Sequence, residues 1–454
     1  GPVSAVVQSG AVCLGLANAA RFGFRYMISS GNEAVLDSAD YIGYLAHDDR
    51  TEVIVAFLEG IQSPDRFMVA AQAAAQAGKP ILAVKVGRSE MARRTVQAHT
   101  GSLAGSDRVV DAAFHQLGVI RLETLDEVLE TAELFATCPL PQGNGVGLLS
   151  LSGGQIGLIA DLAQDLGLSF PAFSDEAKAA LREILPPFSP VANPLDAWGS
   201  GDLETTYPAC VEVVSREDAV DLLAVSRDTP EDVAPREIEQ SLAVADAAVT
   251  AATTTGKPVL LFSNVCAGFE PTVTQVLKDN GVPYLQGTGE TLRAIQAFVG
   301  YGEWLRSRPL REKPGCPSPE SLDSWRERLR QGALTEWESR KLLADYGIEG
   351  PRESSATSAD EAVEAAETLG YPVVLKILSP DIQHKTEMGG VRTGLEDAVA
   401  LRSAYRDVMT AAQEHHPHAD LRGVLIQEMV GGDAVEVIVG LVDDPDFGPT
   451  VVFG

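Results

Sequence analysis

The sequence predicts an α/β protein with two doubly wound parallel-sheet domains, followed by a third domain of different pattern. Three observations support this fold class. Short apolar runs alternate with alanine-rich helical patterns from the first residues, the alternation breaks and restarts near residue 140, and a proline-rich stretch near residue 310 precedes a new pattern. Alternating strands and helices form parallel sheets, which bind their ligands at the carboxyl ends of the strands.

The first two predicted domains cover residues 1–138 and 139–306. Each consists of short apolar runs followed by helical patterns, and the segment 139–145, rich in proline and glycine, separates them. A helix is expected directly after Ser9-Gly10, and another near residue 67. The predicted strands lie at 3–8, 52–58, 80–86, 146–151, 221–225 and 258–262.

Residues 307–333 are predicted to be a linker, because prolines cluster between 307 and 319 and periodicity is weak. The third domain is predicted to span residues 334–454. It combines amphipathic helices with strands, and the helices are placed at 335–346 and 360–369. Its predicted strands lie at 373–378, 423–429 and 434–441.

The composition argues against several classes of protein. A net charge of −29 over 454 residues, without a concentrated basic face, disfavours a nucleic-acid partner. The five cysteines lack CxxC spacing, so neither a zinc site nor a disulfide framework is predicted. The sequence shows neither a leader peptide nor an apolar run of about 18 residues. We therefore expect a cytoplasmic enzyme that acts on neither nucleic acid nor membrane.

The segment 97–107 places a single imidazole, that of His99, beside small residues that include Gly101. Imidazole is a neutral nucleophile near pH 7 that can hold a phosphoryl group, and glycine lets backbone N–H groups approach phosphate oxygens. A structural or solvent-facing histidine is the competing interpretation. A second histidine, His384, lies in another glycine-containing segment, 379–391. Two such segments indicate a relay of phosphoryl groups.

Two positions at predicted strand ends carry further candidate groups. The carboxylate of Glu59 could accept a hydrogen bond from one imidazole nitrogen of His99, or it could cap the following helix. Gly153 and Gly154 lie at a strand-to-helix turn, where free N–H groups and a partial positive charge attract an oxyanion. The segment 192–199 could support the same pocket, or it could be a turn with an Asx cap.

Three polar side chains of the third domain are candidates for contact with a nucleotide. Lys376 lies between apolar residues of a predicted strand, where an ammonium group is unfavourable unless it faces an anion such as phosphate. Glu428 could accept a hydrogen bond from an adenine amino group or a ribose hydroxyl, and Glu436 could orient a metal ion or Lys376. The competing interpretations are a lysine on an edge strand and an ordinary polar strand face.

These motifs resemble those of the ADP-forming (NDP-forming) acyl-CoA synthetases, the single-chain relatives of succinyl-CoA synthetase. Residues 371–376 and the segment around His384 resemble the first part of the ATP-grasp module of that family. The resemblance implies two flavodoxin-like doubly wound parallel-sheet domains followed by a partial ATP-grasp domain. The segments that resemble the CoA-ligase domain of the family are 1–10, 30–34, 58–60, 86–89 and 99–107.

The same resemblance implies an acid–thiol ligase that interconverts acyl-CoA, ADP and phosphate with a carboxylic acid, CoA and ATP. An acyl phosphate would form, His99 would take its phosphoryl group, and a mobile segment would carry the group towards ADP, with His384 as the second relay histidine. Mg²⁺ would bridge the phosphates of the nucleotide. The other implied roles are support of His99 by Glu59, phosphate binding at Gly101, Gly153 and Gly154, and nucleotide binding by Lys376, Glu428 and Glu436.

The sequence departs from the family pattern at both ends. Family members usually begin with a Rossmann-like CoA-binding domain and have a longer ATP-grasp module. We therefore expect a fragment that belongs to a larger parent chain or to a homo-oligomer. The alternatives are a relative of the protein lysine acetyltransferase type, a regulatory CoA-binding relative, and a non-catalytic subunit. The presence of both His99 and His384 favours the ligase, because the phosphorylatable histidine tends to be lost in the acetyltransferase relatives.

Overall fold

The computed structural model of the protein describes residues 1–92, 94, 106–198, 202–307, 318–382, 384–432 and 434–454. The chain forms two compact units. One consists of residues 1–311 together with 438–454, and the other of residues 312–437. The first unit contains two parallel sheets and a hairpin, whereas the second contains one antiparallel sheet. The predicted α/β class, with two doubly wound parallel sheets, is confirmed.

The first parallel sheet has the strand order β2-β1-β3-β4-β5, which is the order of a flavodoxin-like fold. Its central strands are buried on both faces because helices cover both sides, and this explains their uninterrupted apolar sequences. The strands are β1 (Val3–Val7), β2 (Phe24–Ser29), β3 (Val53–Leu58), β4 (Ile81–Lys85) and β5 (Val119–Leu122). The helices are α1 (Gly10–Ala19), α2 (Ser38–His47), α3 (Pro64–Gln76), α4 (Asp107–Leu117) and α5 (Leu125–Thr137).

The second parallel sheet repeats this topology with the order β7-β6-β8-β9-β10. An apolar core covers each of its faces. The strands are β6 (Val146–Ser150), β7 (Leu195–Asp196), β8 (Leu222–Ser226), β9 (Val259–Ser263) and β10 (Tyr284–Gln286). The helices are α6 (Gly153–Leu166), α7 (Asp175–Ile184), α8 (Leu203–Ser215), α9 (Pro235–Thr255), α10 (Pro271–Asp279) and α11 (Thr288–Ser307).

Helix α4 ends at Gly118, which has a φ of 73°. Glycine adopts this left-handed conformation without the steric penalty that a Cβ atom brings. A Cβ atom at Gly118 would also lie 2.6 Å from the ring of Trp304, which belongs to α11. Both the backbone conformation and the close approach of α11 therefore require glycine at this position.

Helix α5 packs against both parallel sheets. Leu134 on this helix lies in the apolar core of the second sheet, and the rings of Phe135 and Phe298 meet edge to face with centroids 4.8 Å apart. A polar contact adds to this packing: Arg293 of α11 pairs with Glu127 at 2.8 Å, and Glu127 is almost fully buried. The two sheets are thus held together by one shared helix.

A second polar contact of α5 involves Arg21, which follows α1. Its guanidinium group pairs with Glu130 at 2.5 Å and with Glu133 at 2.7 Å. Glu130 also accepts a hydrogen bond from the backbone N–H of Gln286 in β10, at 2.9 Å. The Arg21 guanidinium lies 5.5 Å from the ring centroid of Phe269. We call Arg21, Glu130 and Glu133 the arginine cluster.

The second unit contains an antiparallel sheet in the order β11-β14-β12-β13, with two helices packed on one face. Alternate residues of one strand, Val373, Leu375 and Ile377, are buried against these helices, whereas Lys376 is only half-buried. The strands are β11 (Glu353–Ala356), β12 (Val373–Ile377), β13 (Val391–Leu395) and β14 (Val424–Glu428). The helices are α12 (Pro319–Arg330), α13 (Glu336–Asp345), α14 (Ala359–Leu369) and α15 (Ala398–His415).

Helix α12 lies inside the segment 307–333 that the sequence predicts to be a linker. It has a mostly polar sequence and contacts α13 through side-chain hydrogen bonds, among them the Trp325 indole to Asp345 at 2.7 Å. Arg328 also pairs with Glu338 at 2.8 Å. Only three apolar residues, Leu322, Trp325 and Leu329, mark one face of this helix, which is a short signal beside the cluster of prolines that precedes it.

The last two strands, β15 (Val439–Asp444) and β16 (Gly448–Phe453), form a hairpin. The prediction of a strand at 434–441 is therefore wrong in its position. The predicted range overlaps β15 in residues 439–441, and Ile438 exchanges backbone hydrogen bonds with Gly454. Among the helices that the structure describes, none combines the length and apolar character needed to span a membrane.

Candidate functional site

Glu59 directly follows β3, at the carboxyl edge of the first sheet. The side chain of Gln8, which follows β1, fixes its backbone. The Gln8 Oε1 atom accepts hydrogen bonds from the N–H groups of Glu59 and Gly60, and the Gln8 Nε2 atom donates to the Gly60 carbonyl at 2.9 Å. Gln8 is buried, so this loop is held by contacts that water does not weaken.

Lys85 holds the same loop from the neighbouring strand, β4. Its Nζ atom donates to the carbonyl groups of Glu59 at 2.8 Å and Val86 at 2.7 Å. Burial lowers the pKa of Lys85, although the carboxylates of Asp107 and Glu59 act in the opposite direction. Sequence reasoning missed both Gln8 and Lys85. The signal was available, because each is a polar residue where a buried parallel strand ends.

His99 and Gly101 lie outside the described residues. The structure does describe the helix that follows them, α4, which begins at Asp107. Arg121 in β5 pairs with Asp107 at 2.6 Å and so fixes the start of that helix against the sheet. The first sheet therefore brings Glu59, Lys85 and the start of α4 to its carboxyl edge.

At the carboxyl edge of the second sheet, Gly153 and Gly154 are the first residues of α6, and both are exposed. The N-cap residue Ser152 makes no side-chain capping bond. The carboxylate of Asp196 lies nearby, 3.3 Å from where a Cβ atom of Gly153 would be. Trp198, two residues later, is 59% exposed and donates its backbone N–H to Asp196. The N–H groups of α6 are thus accessible at a strand end, as predicted for an oxyanion site.

The segment 192–199 contributes to this region mainly through Asn193. Its Nδ2 atom donates to the carbonyl groups of Val146 and Pro171, at 2.8 and 3.0 Å. Its Oδ1 atom accepts from the N–H of Leu148 at 3.1 Å. Asn193 therefore ties the segment to the sheet, and both N–H donors of its side chain are used within the protein.

A polar network at the ends of β8 and β9 was also missed. Asp228 accepts hydrogen bonds from the Ser263 hydroxyl at 2.8 Å and from the Asn264 N–H at 2.6 Å. The Asn264 side chain donates to Asp228 at 3.1 Å and to the Ser226 hydroxyl at 2.8 Å. Asp228 and Asn264 follow buried strands of a parallel sheet, and that position alone could have identified them.

In the second unit, a cavity of about 380 Å³ brings together two of the predicted site residues, Lys376 and His384. Lys376 lies in β12, and His384 lies in the loop between β12 and β13, where its side chain is exposed. The same loop contributes Lys385 and Glu387, and α13 contributes Glu336. We call this the lysine cavity.

Lys376 already has an anionic partner in the structure. The Glu336 carboxylate accepts hydrogen bonds from Lys376 at 2.7 Å and from Lys385 at 2.5 Å. Burial alone would raise the pKa of Glu336, but the two ammonium groups lower it to about 2. The anion that the sequence predicts beside Lys376 is thus a carboxylate of the protein itself.

The two other predicted nucleotide-binding acids lie outside the lysine cavity. Glu428, the last residue of β14, accepts from the Arg352 backbone N–H at 2.8 Å and from its guanidinium at 2.7 Å. These bonds lower the pKa of Glu428. Glu436 is exposed and precedes β15, and among the described residues it has no ion pair with Lys376. The described residues also contain no group of three or more His, Cys, Asp or Glu side chains arranged to hold a metal ion.

Two regions of the chain match known domain families. Residues 1–135 match the succinyl-CoA ligase like flavodoxin domain, and residues 326–454 match an ATP-grasp domain. The 4-hydroxybutyrate–CoA ligase (ADP-forming) of Nitrosopumilus maritimus strain SCM1 is 30% identical over 100% of this chain and 65% of its own length. This chain belongs to the ADP-forming acyl-CoA synthetase family.

Two further proteins are similar to this chain, one in sequence and one in structure. The alpha subunit of acetate–CoA ligase (ADP-forming) I from Pyrococcus furiosus is 30% identical over 67% of this chain and 65% of its own length. A crystal structure of a Pyrococcus horikoshii OT3 protein matches with a TM-score of 0.57 and 28% identity, covering 67% of this chain and 65% of that chain. The chain spans about 65% of the length of these two curated relatives.

Proposed function

We propose that the protein acts as an acid–thiol ligase that interconverts acyl-CoA, ADP and phosphate with a carboxylic acid, CoA and ATP. The reaction would pass through an acyl phosphate and a phosphorylated histidine. The observation that carries the proposal is the lysine cavity, where His384 lines the same space as Lys376 and Lys385. Such a cavity places an imidazole nucleophile beside cationic groups that neutralise phosphoryl oxygens.

The first sheet would supply the other end of a phosphoryl relay. We propose that His99 receives the phosphoryl group and that Glu59 accepts a hydrogen bond from its imidazole, which would fix the tautomer and offset positive charge. The hydrogen bonds from Gln8 and Lys85 to the loop 59–60 support this, because they fix the backbone that carries Glu59. Gly101, Gly153 and Gly154 would offer backbone N–H groups to the phosphate.

The nucleotide would bind in the second unit. Lys376 and Lys385 fit a phosphate chain, because two ammonium groups line one cavity within reach of a single anion. Glu428 would have to leave Arg352 before it could accept from a nucleotide. ATP and CoA are substrates of the proposed reaction. We propose that Mg²⁺ accompanies the nucleotide, because this ion is usually bound by one or two carboxylates together with substrate phosphates, and no step of the mechanism is assigned to it.

The acid is proposed by class only, as a carboxylic acid. The relatives named above carry the names of two different acids, 4-hydroxybutyrate and acetate, at the same 30% identity. Overall similarity therefore does not select one of them. One relative is named as an alpha subunit, which supports a larger assembly, either a longer parent chain or a homo-oligomer. The domain boundaries proposed for this chain are those predicted from the sequence, 1–138, 139–306 and 334–454. The segment between the last two, predicted as a linker, contains α12, and the hairpin at the end of the third range groups with the first compact unit.

The test is phosphorylation of the complete gene product with γ-³²P-labelled ATP and Mg²⁺, followed by acid and base treatment. We expect label that is stable in base and lost in acid, as phosphohistidine is. His99→Ala should abolish labelling by acyl-CoA and ³²P-phosphate, whereas His384→Ala should preserve that labelling and block ATP formation. His115→Ala is the control, because His115 lies in α4. Equal loss of both half-reactions in His384→Ala would contradict a two-histidine relay.

A further inference from the structure

The lysine cavity contains a charge arrangement that the proposed reaction does not explain. One carboxylate, that of Glu336, contacts two ammonium groups at once, those of Lys376 and Lys385. The cluster therefore keeps one excess positive charge. The three side chains are 25%, 24% and 14% exposed, so they are only partly shielded from water. We call them the lysine pair and its counter-ion.

The fold fixes each of the three groups independently. Glu336 lies in the first turn of α13, which a capping box between Thr335 and Glu338 starts at this point. Lys376 lies on β12. The Lys385 carbonyl accepts the N–H of Gly390 at 2.7 Å, which closes the loop before β13.

Glu336 is held mainly by the two lysines. Its further side-chain contact is with the Gln427 amide, at 3.3 Å, and that amide also donates to Glu353. A carboxylate held by long, flexible ammonium side chains can be exchanged for another oxyanion without breaking the sheet or the helix. The Glu387 side chain also lines the cavity, so a bound anion would meet this second carboxylate as well.

We propose that Glu336 is a displaceable internal counter-ion, which occupies the anion site between Lys376 and Lys385 in the free protein and yields it to the phosphoryl oxygens of a polyphosphate. Glu336 occupies the site when no ligand is bound, and the incoming phosphate takes over the two ammonium groups. The inference rests on the proposed function only in identifying the natural anion as a phosphate of a nucleotide. Its structural basis is the geometry of the three side chains.

The Glu336 carboxylate weakens the binding of the anion that displaces it. An anion that enters the cavity meets a net charge of one positive unit from these three groups, whereas it would meet two without Glu336. Because opposite charges at a few ångströms attract strongly even in a partly solvated site, removing the carboxylate charge should tighten anion binding by about five-fold. A counter-ion of this kind lets the lysines remain paired in the free protein while limiting binding of small anions.

The test uses inorganic tripolyphosphate as the probe, with binding to the protein measured by calorimetry at constant ionic strength. Glu336→Gln should lower the Kd about five-fold. The matched control is Glu338→Gln, because Glu338 lies in the same turn and is also ion-paired, with Arg328, but does not line the cavity. An unchanged or higher Kd in Glu336→Gln, or an equal change in both variants, would overturn the proposal.

A second pair of variants keeps the proposal testable if Glu336→Gln does not fold. Lys385→Met should raise the Kd for tripolyphosphate about ten-fold. Lys341→Met should leave it unchanged, because Lys341 lies over the Trp337 ring on the same helix. Equal Kd values in the two lysine variants would overturn the proposal. If the binding changes are as expected but histidine labelling fails, the anion site stands and the ligase function is wrong.

Discussion

Each of the two compact units contains a cluster of three charged side chains. One cluster has one cation and two carboxylates, and the other has one carboxylate and two cations. In the arginine cluster of the first unit, Arg21 lies between the carboxylates of Glu130 and Glu133. In the second unit, Glu336 lies between two ammonium groups, the lysine pair. Each cluster has one unit of excess charge, which is negative in the first unit and positive in the second.

The two clusters differ in how they accommodate this excess charge. In the arginine cluster, burial raises the pKa of Glu133 to about 7 despite the opposing effect of Arg21, so a proton can neutralise the cluster near neutral pH. In the lysine cavity, the pKa of Glu336 falls to about 2, so the carboxylate stays ionised and the excess positive charge persists. A cluster with two carboxylates can thus lose its excess charge by taking up a proton near neutral pH, whereas the cluster with two ammonium groups retains its excess charge.

The largest expected effect comes from breaking the arginine cluster. Arg21→Met leaves two buried carboxylates without their cation and should lower the free energy of unfolding by about 3 kcal/mol, measured by urea denaturation at pH 8. The control is Arg88→Met, because Arg88 and Glu123 form an exposed pair on the same unit. That variant should change stability little, because solvent screens an exposed ion pair. Similar losses in the two variants would remove the distinction between buried and exposed ion pairs.

An intermediate effect should appear in the pH dependence of stability. The pKa of Glu133 rises from 4.5 to about 7 on folding, so its contribution is fully present below pH 4.5 and is lost as the pH rises through 7. The loss should be on the order of 2 kcal/mol. Glu133→Gln should flatten the unfolding free energy over this range, as measured by urea denaturation at a series of pH values.

In the second unit, the contribution of Glu336 to the free energy of unfolding should be lost at low pH rather than at neutral pH. The pKa of Glu336 falls from 4.5 to about 2 on folding, so its contribution is present above pH 4.5 and is lost as the pH falls through 2. Glu336→Gln should therefore leave the slope between pH 5 and 7 as it is in the unsubstituted protein. A flattened neutral slope in Glu336→Gln would contradict the comparison.

The smallest expected effect concerns the aromatic face of the arginine cluster. Phe269 lies beneath the Arg21 guanidinium and stacks on Tyr284 with ring centroids 4.0 Å apart. Phe269→Leu keeps most of the apolar volume but removes both ring interactions, so it should cost about 1 kcal/mol of unfolding free energy. Phe188→Leu, at a side chain that is 75% exposed, is the control and should change stability little.

The parallel sheets could be predicted because their strands are buried on both faces. In the sequence such strands are uninterrupted apolar runs. The bounds of β1 (Val3–Val7) and β9 (Val259–Ser263) lie within one or two residues of the predicted ranges. Helix α12 could not be predicted in this way, because its contacts with α13 are polar.

The candidate site could be predicted only in part. The apolar neighbours of Lys376 correctly indicate that an anion faces it, since an ammonium group in such a position needs one. They cannot indicate that the anion is Glu336, because a contact between residues forty positions apart in the chain depends on the packing of α13 against the sheet. The roles of His99, His384 and the other predicted site residues stay predictions that the phosphorylation experiment tests.

The three glutamates of α5 bear on how this chain can be re-engineered. Glu127, Glu130 and Glu133 are spaced three residues apart. Each forms an ion pair with an arginine outside α5, either Arg293 or Arg21. A chimera that joined the first sheet to a foreign second sheet at residue 139 would inherit buried acids without the arginine of α11. Grafting between relatives should therefore exchange both sheets as one block, or transplant the acids and arginines together.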